Sequence, residues 1–501
     1  MNFKMIRYTL GLILLFESAF FLLPMIVAVC CGEWWELFSF FVTSLATSGL
    51  GLLMAFKKPE DRHLYARDGL AIVALSWITL SLFGAVPFVI SGAIPNYLDA
   101  LFETVSGFTT TGSTIIPNVE ILPQAVLIWR SFTHWVGGMG VLVFIMAIMP
   151  ISGAHNMHIM RAESPGPEVS KLVPRVRKTA IILYVIYFAL TVLQLVLLLF
   201  GDMNFLEALN TALATAGTGG FGIKADSLGG YSVYTQIVVT VFMLLFSINF
   251  NSYYLVLRAR FKDAFNSEVR AFLAIVIVAI AAISLNVYFS GDSYAAVRES
   301  QGINSFGDAL RHAAFTVSSI ISTSGFMTVD FDLWPTFSKT IIVILIFIGA
   351  CAGSTGGGFK VSRIILLFKG MAREIGRIIN PRQVKKITID KKPVDHEVVR
   401  AVNAYLVCYV LIFVGSFILL TVDGYDPVIS DGRAANEMVS NFTAVATALN
   451  NVGPGLEMIG PTQSFAFFSP FSKVVLIFDM LAGRLELFPI LLLFSPKTWK
   501  R

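Results

Sequence analysis

Residues 97–113 read YLDALFETVSGFTTTGS, and this stretch decides the fold. Its first twelve residues begin beside Asn96 and carry Asp99 early, which suits a helix N-terminus. They are too short and too polar to cross a bilayer, which takes about 20 apolar residues. The break that follows is Thr109-Thr110-Thr111-Gly112-Ser113. The same succession comes three more times. Residues 205–215 precede Ala216-Gly217-Thr218-Gly219-Gly220-Phe221, and residues 306–321 precede Ser322-Thr323-Ser324-Gly325-Phe326. Residues 434–449 precede Asn450-Asn451-Val452-Gly453-Pro454-Gly455. Read side by side, the glycines align as Gly112, Gly219, Gly325 and Gly453, roughly a hundred residues apart. The last interval is lengthened by the polar inserts 369–392 and 423–437.

A helix that enters the membrane and stops midway points its partly negative C-terminal end at the membrane centre, where it attracts cations. The non-helical backbone that follows cannot face lipid, because each unsatisfied N–H or C=O costs several kcal/mol, so it must line a water-filled path. Glycine lets the chain turn its carbonyls toward that path. Four such breaks in a ring make an oxygen-lined constriction that replaces the hydration shell of a cation. One break alone would read as a loop between spans. The conjunction of four, each after a short helix and before an apolar span, points to a selectivity filter at a single central pore.

The composition agrees. Of 501 residues, 56% are hydrophobic and 14% charged, with mean hydropathy +0.75. Soluble domains carry about 25% charged residues. Apolar runs at 10–29, 70–90, 180–200, 237–257, 271–289, 340–352, 404–420 and 474–494 are the clearest spans. Lys4 and Arg7 precede the first, but it is too long for a signal-peptide core and no small-residue cleavage site closes it. Basic residues collect at 57–67, 161–178, 258–270, 360–392 and 497–501. The polar segments between them, 117–123, 201–207, 291–308 and 423–437, are neutral or acidic. The positive-inside bias makes the first set cytoplasmic, both termini included, and the second external. The same bias accounts for the basic clusters without nucleic acid. Cys30, Cys31, Cys351 and Cys408 read as buried residues, and His155 and His158 as solvated.

These segments resemble the TrkH/KtrB potassium transporter family, in its TrkH branch. The resemblance rests on Arg67-Asp68-Gly69, Trp135-Val136-Gly137-Gly138-Met139-Gly140, Arg161-Ala162-Glu163-Ser164-Pro165-Gly166-Pro167, Gly353-Ser354-Thr355-Gly356-Gly357-Gly358, Leu449-Asn450-Asn451-Val452-Gly453-Pro454-Gly455 and Gly483-Arg484-Leu485-Glu486. It covers nearly the whole chain. Two further spans, 10–29 and 34–54, resemble the N-terminal hairpin of that branch. Gly217-Thr218 departs from it, since related chains often carry bulkier apolar residues there.

The expected organisation is an all-α integral membrane protein. Residues 1–64 form a two-helix hairpin, and 65–155, 156–262, 263–392 and 393–501 form four pore units. The filter falls to Thr110, Thr111, Gly112, Ser113, Gly217, Thr218, Gly219, Gly220, Thr323, Ser324, Gly325, Phe326, Asn451, Val452, Gly453 and Pro454. In plant relatives of the family, serine at the first filter glycine accompanies Na⁺ preference. The resemblance also implies K⁺ uptake across the inner membrane, a homodimer, and a ring-forming cytoplasmic partner of the TrkA type that binds nucleotide. No soluble segment of this sequence is long enough to supply a nucleotide-binding domain.

The third closing span is interrupted by a glycine-rich run at 349–358. It is no phosphate loop, because Phe359 separates the last glycine from Lys360 and Val361 follows. The resemblance implies an intramembrane gate made of Gly353, Ser354, Thr355, Gly356, Gly357 and Gly358, with Arg484 at the same level. The alternative for Arg484 is an ion pair with Glu486 or Asp479, since an arginine within the bilayer needs a cavity or a partner. Arg130 and His134 are expected to snorkel toward the external interface. No paired carboxylates, metal cluster or nucleophile–base pair marks an enzyme or calls for a cofactor. A Na⁺- or H⁺-coupled symporter of the same fold is the competing function. Such carriers place ionisable groups at midplane breaks, whereas these breaks hold Gly, Thr, Ser and Asn.

Overall fold

The computed structural model describes residues 1–60, 65–140, 176–382, 386–390, 392–429 and 432–499. His155, His158 and the run 161–167 lie outside the described residues.

Among the described residues, six helices are long and apolar enough to cross a membrane: Phe3–Cys31, Trp34–Ala55, Arg67–Ser91, Thr179–Leu199, Ser267–Tyr288 and His396–Thr421. The first two cross where both carry glycine. A Cβ added to Gly11 or to Gly51 would lie 2.9 Å from the other's carbonyl oxygen. Small residues let helix backbones approach this closely where lipid supplies no hydrophobic drive. Buried Trp129 ties this pair to the rest of the fold. Its ring packs on Phe21, Phe40 and Phe108, and its indole N–H donates to Gly84 O at 3.1 Å. Cys30 and Cys31 are exposed rather than buried, because they lie in the last turn of the first span on its outer side.

Four short helices stand inside this scaffold: Tyr97–Phe108, Phe205–Gly217, Phe306–Ile321 and Glu437–Asn450. Each is capped by a side chain that accepts backbone N–H groups of the first turn, from Asn96, Asn204, Ser305 and Asn436. Each has an acid there too, Asp99, Glu207, Asp308 and Glu437, which favours the positive end of the dipole. Beyond that turn the helices are almost wholly buried.

The helices that follow are short, and two of them fall short of the apolar runs 237–257 and 474–494. Gln124–Gly138, Val233–Ser247, Thr336–Ile348 and Pro470–Arg484 have 15, 15, 13 and 15 residues. At 1.5 Å per residue they reach about 20–22 Å, short of the ~30 Å hydrocarbon core. The run 237–257 is not one straight span. It bends by 92° between Val233–Ser247 and Phe250–Leu257. There the Asn249 side chain caps the new helix, and Phe250 N donates to Gly353 O. The run 474–494 also breaks, at Glu486 and Leu487, whose φ values are 55° and 65°. Pro489, in the first turn of Phe488–Phe494, cannot continue the preceding helix. Apolar composition concealed both breaks. The strands Thr388–Ile389 and Lys392–Pro393 form one small hairpin.

Candidate functional site

The four short helices end in one and the same way. A left-handed residue stands at the C-cap, as Thr218 and Asn451 do, or one residue beyond it, as Thr110 and Thr323 do; the φ values of Thr110, Thr218, Thr323 and Asn451 are 56°, 55°, 62° and 54°. Its N–H bonds to the carbonyl three residues back, on Gly107, Thr215, Ile320 and Ala448. The next N–H reaches five back: Thr111 to Ser106, Gly219 to Ala214, Ser324 to Ser319 and Val452 to Thr447, at 2.8–3.0 Å. This is the paired bonding of a Schellman cap, which ordinarily takes glycine at its left-handed position. Three β-branched threonines occupy it here, at about 1–2 kcal/mol each. Such strain persists where surroundings impose it, commonly at functional sites.

Two residues further on, each chain turns again at a glycine of positive φ: Gly112, Gly220, Gly325 and Gly453, at 81°, 77°, 78° and 96°. In the second unit this glycine is Gly220, one residue beyond Gly219 of the sequence alignment. Gly217 is the last helical residue and stands outside the break. A Cβ on Gly112 would collide with Gly219 O, and one on Gly220 with Ser324 O. One on Gly325 would lie 2.5 Å from Val452 O, and one on Gly453 2.8 Å from Thr111 O. Each glycine therefore abuts the carbonyl that precedes the glycine of the next unit, and the fourth returns to the first. The ring is closed. Gly112, Gly220, Gly325 and Gly453, with Ser113 and Pro454, line one open cavity. Side chains knit the ring from behind. Asn451 donates to Thr111 Oγ1 at 2.9 Å and to Met480 O, Ser113 Oγ approaches Gly453 O at 3.4 Å, and Ser319 Oγ donates to Phe326 O at 2.6 Å.

Arg130 and His134 do not snorkel. Both are buried, and both hold breaks together. Arg130 Nε donates to Glu103 Oε1 at 2.8 Å, Nη1 reaches Gly222 O at 3.3 Å, and the guanidinium lies 4.2 Å from the centre of the Phe221 ring. Glu103 in turn accepts from Thr114 Oγ1 and Ile115 N, both at 3.0 Å. One buried ion pair thus joins the outer ends of the first two breaks. Phe221 N donates to His134 Nε2 at 3.3 Å, so the ring proton sits on Nδ1 and is donated to Gly107 O at 2.8 Å. The sequence signal for both was polarity inside an apolar helix, which normally marks a partner rather than the interface.

The interruption 349–360 lies against the inner ends of two short helices. A Cβ on Gly357 would strike Asn450 O, and one on Gly356 would lie 2.8 Å from Ser322 O. Gly357 N donates to Thr323 Oγ1 at 2.7 Å, which joins the loop to the ring itself. Gly353 and Gly358 turn at φ of 73° and 81°, and Ser354 Oγ donates to Cys351 O. Lys360 is buried and caps Gly356 O. Arg484 joins the loop to the first closing helix. Its Nη1 donates to Thr355 O at 2.8 Å, and its Nη2 to Gly137 O and to Gly138 O, the latter at 2.9 Å. Glu486 pairs with Arg363 at 2.6 Å, and Asp479 accepts from Ser416 at 2.7 Å.

The chain matches the family model TrkH, described as cation transport protein, over residues 36–501. It is 34% identical over 511 residues to the Trk system potassium uptake protein TrkH of Halomonas elongata, covering 100% of both chains. It is 33% identical over 507 residues to the protein of the same name from Escherichia coli K12, again covering 100% of both. The crystal structure of the potassium transporter TrkH from Vibrio parahaemolyticus superposes with TM-score 0.85 at 32% identity, over 100% of each chain. These relatives are transporters and not enzymes. The chain belongs to the TrkH family of cation transport proteins.

Proposed function

We propose that this chain takes up potassium across the cytoplasmic membrane through a filter formed by its four breaks. The closed ring of glycine–carbonyl contacts carries this reading. It brings four strained turns to one cavity, where carbonyl oxygens can replace the water around a dehydrated cation. Both termini lie on the cytoplasmic side, as the charge distribution requires. The loop 349–360 is the gate, since it abuts the inner ends of two short helices and is tied to Thr323 of the ring. Arg484 holds it shut through Thr355. Relatives named as parts of a Trk system support a further component. We assign that role to a cytoplasmic nucleotide-binding ring acting on a homodimer of this chain.

The carboxylate beside the ring, Glu103, is already paired with Arg130, which disfavours the coupled symporter. Flux into liposomes holding the purified chain tests both readings. K⁺ should enter faster than Na⁺ and should follow the membrane potential. Equal entry of both ions, or entry that requires an imposed Na⁺ or H⁺ gradient, overturns the assignment.

A further inference from the structure

We infer that Glu268 is a positioning residue for the loop 349–360, and that the hairpin around Asp390 sets where Glu268 stands. The inference rests on the reading of that loop as the gate.

The loop leaves its helix at Gly349 and rejoins helix at Val361. Glu268 is buried and lies in the first turn of Ser267–Tyr288, a helix of neither flanking segment. An acid in that turn ordinarily serves the cap. Here Asn266 already caps, accepting from Val269 N at 2.9 Å, which frees Glu268 to reach across. Its Oε1 accepts from Ala352 N at 2.7 Å and from Ser362 N at 3.1 Å. These two N–H groups stand on either side of the segment 353–358, so one carboxylate oxygen pins the chain before and after it. Bonds from backbone N–H groups to an ionised oxygen are about twice as strong as neutral ones. Thr323 holds the ring side of the loop through Gly357 N, and Glu268 holds the other side.

The same helical turn is gripped from below. Asp390 is exposed, left-handed at φ 46°, and placed between the strands Thr388–Ile389 and Lys392–Pro393. Its Oδ1 accepts from Ser267 N at 2.9 Å and from Ser267 Oγ at 2.5 Å, with Arg270 at 3.8 Å. The hairpin is itself anchored. Ile387 packs with Leu366 and Val402, and Lys369 donates to Thr388 O at 2.7 Å. A pull on the hairpin therefore moves Ser267 and, with it, the adjoining Glu268. Glu268, Ala352, Ser362 and Asp390 also line one cavity, which leaves the loop room to withdraw toward the hairpin once the carboxylate lets go.

The test is basal K⁺ and Na⁺ flux in liposomes holding the full chain without a partner. Parent, Glu268→Ala, Glu268→Gln, Asp390→Ala and a partial deletion within 353–358 are compared. Glu268→Ala should raise basal K⁺ flux by at least about tenfold, since two charge-assisted bonds are lost. Glu268→Gln keeps an acceptor and should fall between alanine and parent. Asp390→Ala should shift flux in the same direction by a smaller factor. The K⁺/Na⁺ ratio should stay at the parent value in all three. A merely structural role would instead lower flux or disturb the ratio, and either result overturns the inference. If the deletion opens the pathway while folded Glu268→Ala and Asp390→Ala conduct as the parent does, Glu268 does not position the gate. If the deletion leaves flux at the parent level, the gate reading falls and this inference falls with it. Should Glu268→Ala not purify as a monodisperse protein, Asp390→Ala, at an exposed site, decides the question.

Discussion

Serine at Gly112 is the sharpest test of the ring. Gly112 has φ 81°, and a Cβ there collides with Gly219 O. Left-handed backbone at a residue with Cβ costs about 1–2 kcal/mol. Forcing the neighbouring carbonyl aside adds the cost of overpacking, about 1–3 kcal/mol. Together these give about 2–5 kcal/mol, placed where the oxygens must fit the ion. A tenfold change in the K⁺/Na⁺ ratio needs only about 1.4 kcal/mol, so Gly112→Ser should lower that ratio by tenfold or more. The geometry also orders the other positions. Gly220→Ser should match Gly112→Ser, Gly325→Ser should do less with its contact at 2.5 Å, and Gly453→Ser least at 2.8 Å. Gly415, on His396–Thr421 with nothing within 4 Å, is the control. Competitive flux in liposomes, with thermal unfolding of each variant beside it, measures the series. A parent ratio in well-folded Gly112→Ser, or an equal fall in Gly415→Ser, would refute the reasoning.

Three more outcomes are expected. Deleting part of 353–358, or Arg484→Ala, should raise basal K⁺ flux without a partner; folded variants of both kinds that conduct like the parent would place the gate elsewhere. Arg130→Met leaves Glu103 charged and buried, at about 3–5 kcal/mol, so its unfolding temperature should drop sharply. Adding Glu103→Gln should recover most of that loss, and a double variant as unstable as the single would deny the pairing its weight. Thr323→Val keeps the side-chain volume but removes the acceptor for Gly357 N, a bond worth roughly 1 kcal/mol net. Basal flux should rise several-fold at constant K⁺/Na⁺ ratio, and a change in ratio instead would mean that Thr323 serves the filter alone.

The short helices were legible because their signals are local. Asn96, Asn204, Ser305 and Asn436 stand where caps belong, and the observed starts fall within three residues of those read from the pattern. The register of the second break was not, because Gly219 and Gly220 adjoin and either can be aligned. A better guide was present in the polar residue two before each turning glycine: Thr110, Thr218, Thr323 and Asn451. The breaks at 248–249 and 485–487 escaped because hydropathy measures burial in lipid and is blind to backbone direction; Pro489 and Asn249 were the marks to weigh. Arg130 was misplaced because its partner, Glu103, lies on another helix, and no one-dimensional pattern records that distance.

All four walls of the ring belong to one polypeptide, and they are free to differ. A ring built from four copies of a shorter chain would repeat every feature fourfold. An arginine such as Arg484 would then be present four times around the ring, and a loop such as 349–360 would have three replicas beside it. Because the units are covalently joined and separately encoded, a glycine-rich loop can be set in the third unit and the arginine that bonds to it in the fourth. The price of that liberty is that no wall can be repaired by its neighbours: an altered turn in one unit is present in every molecule, at full strength.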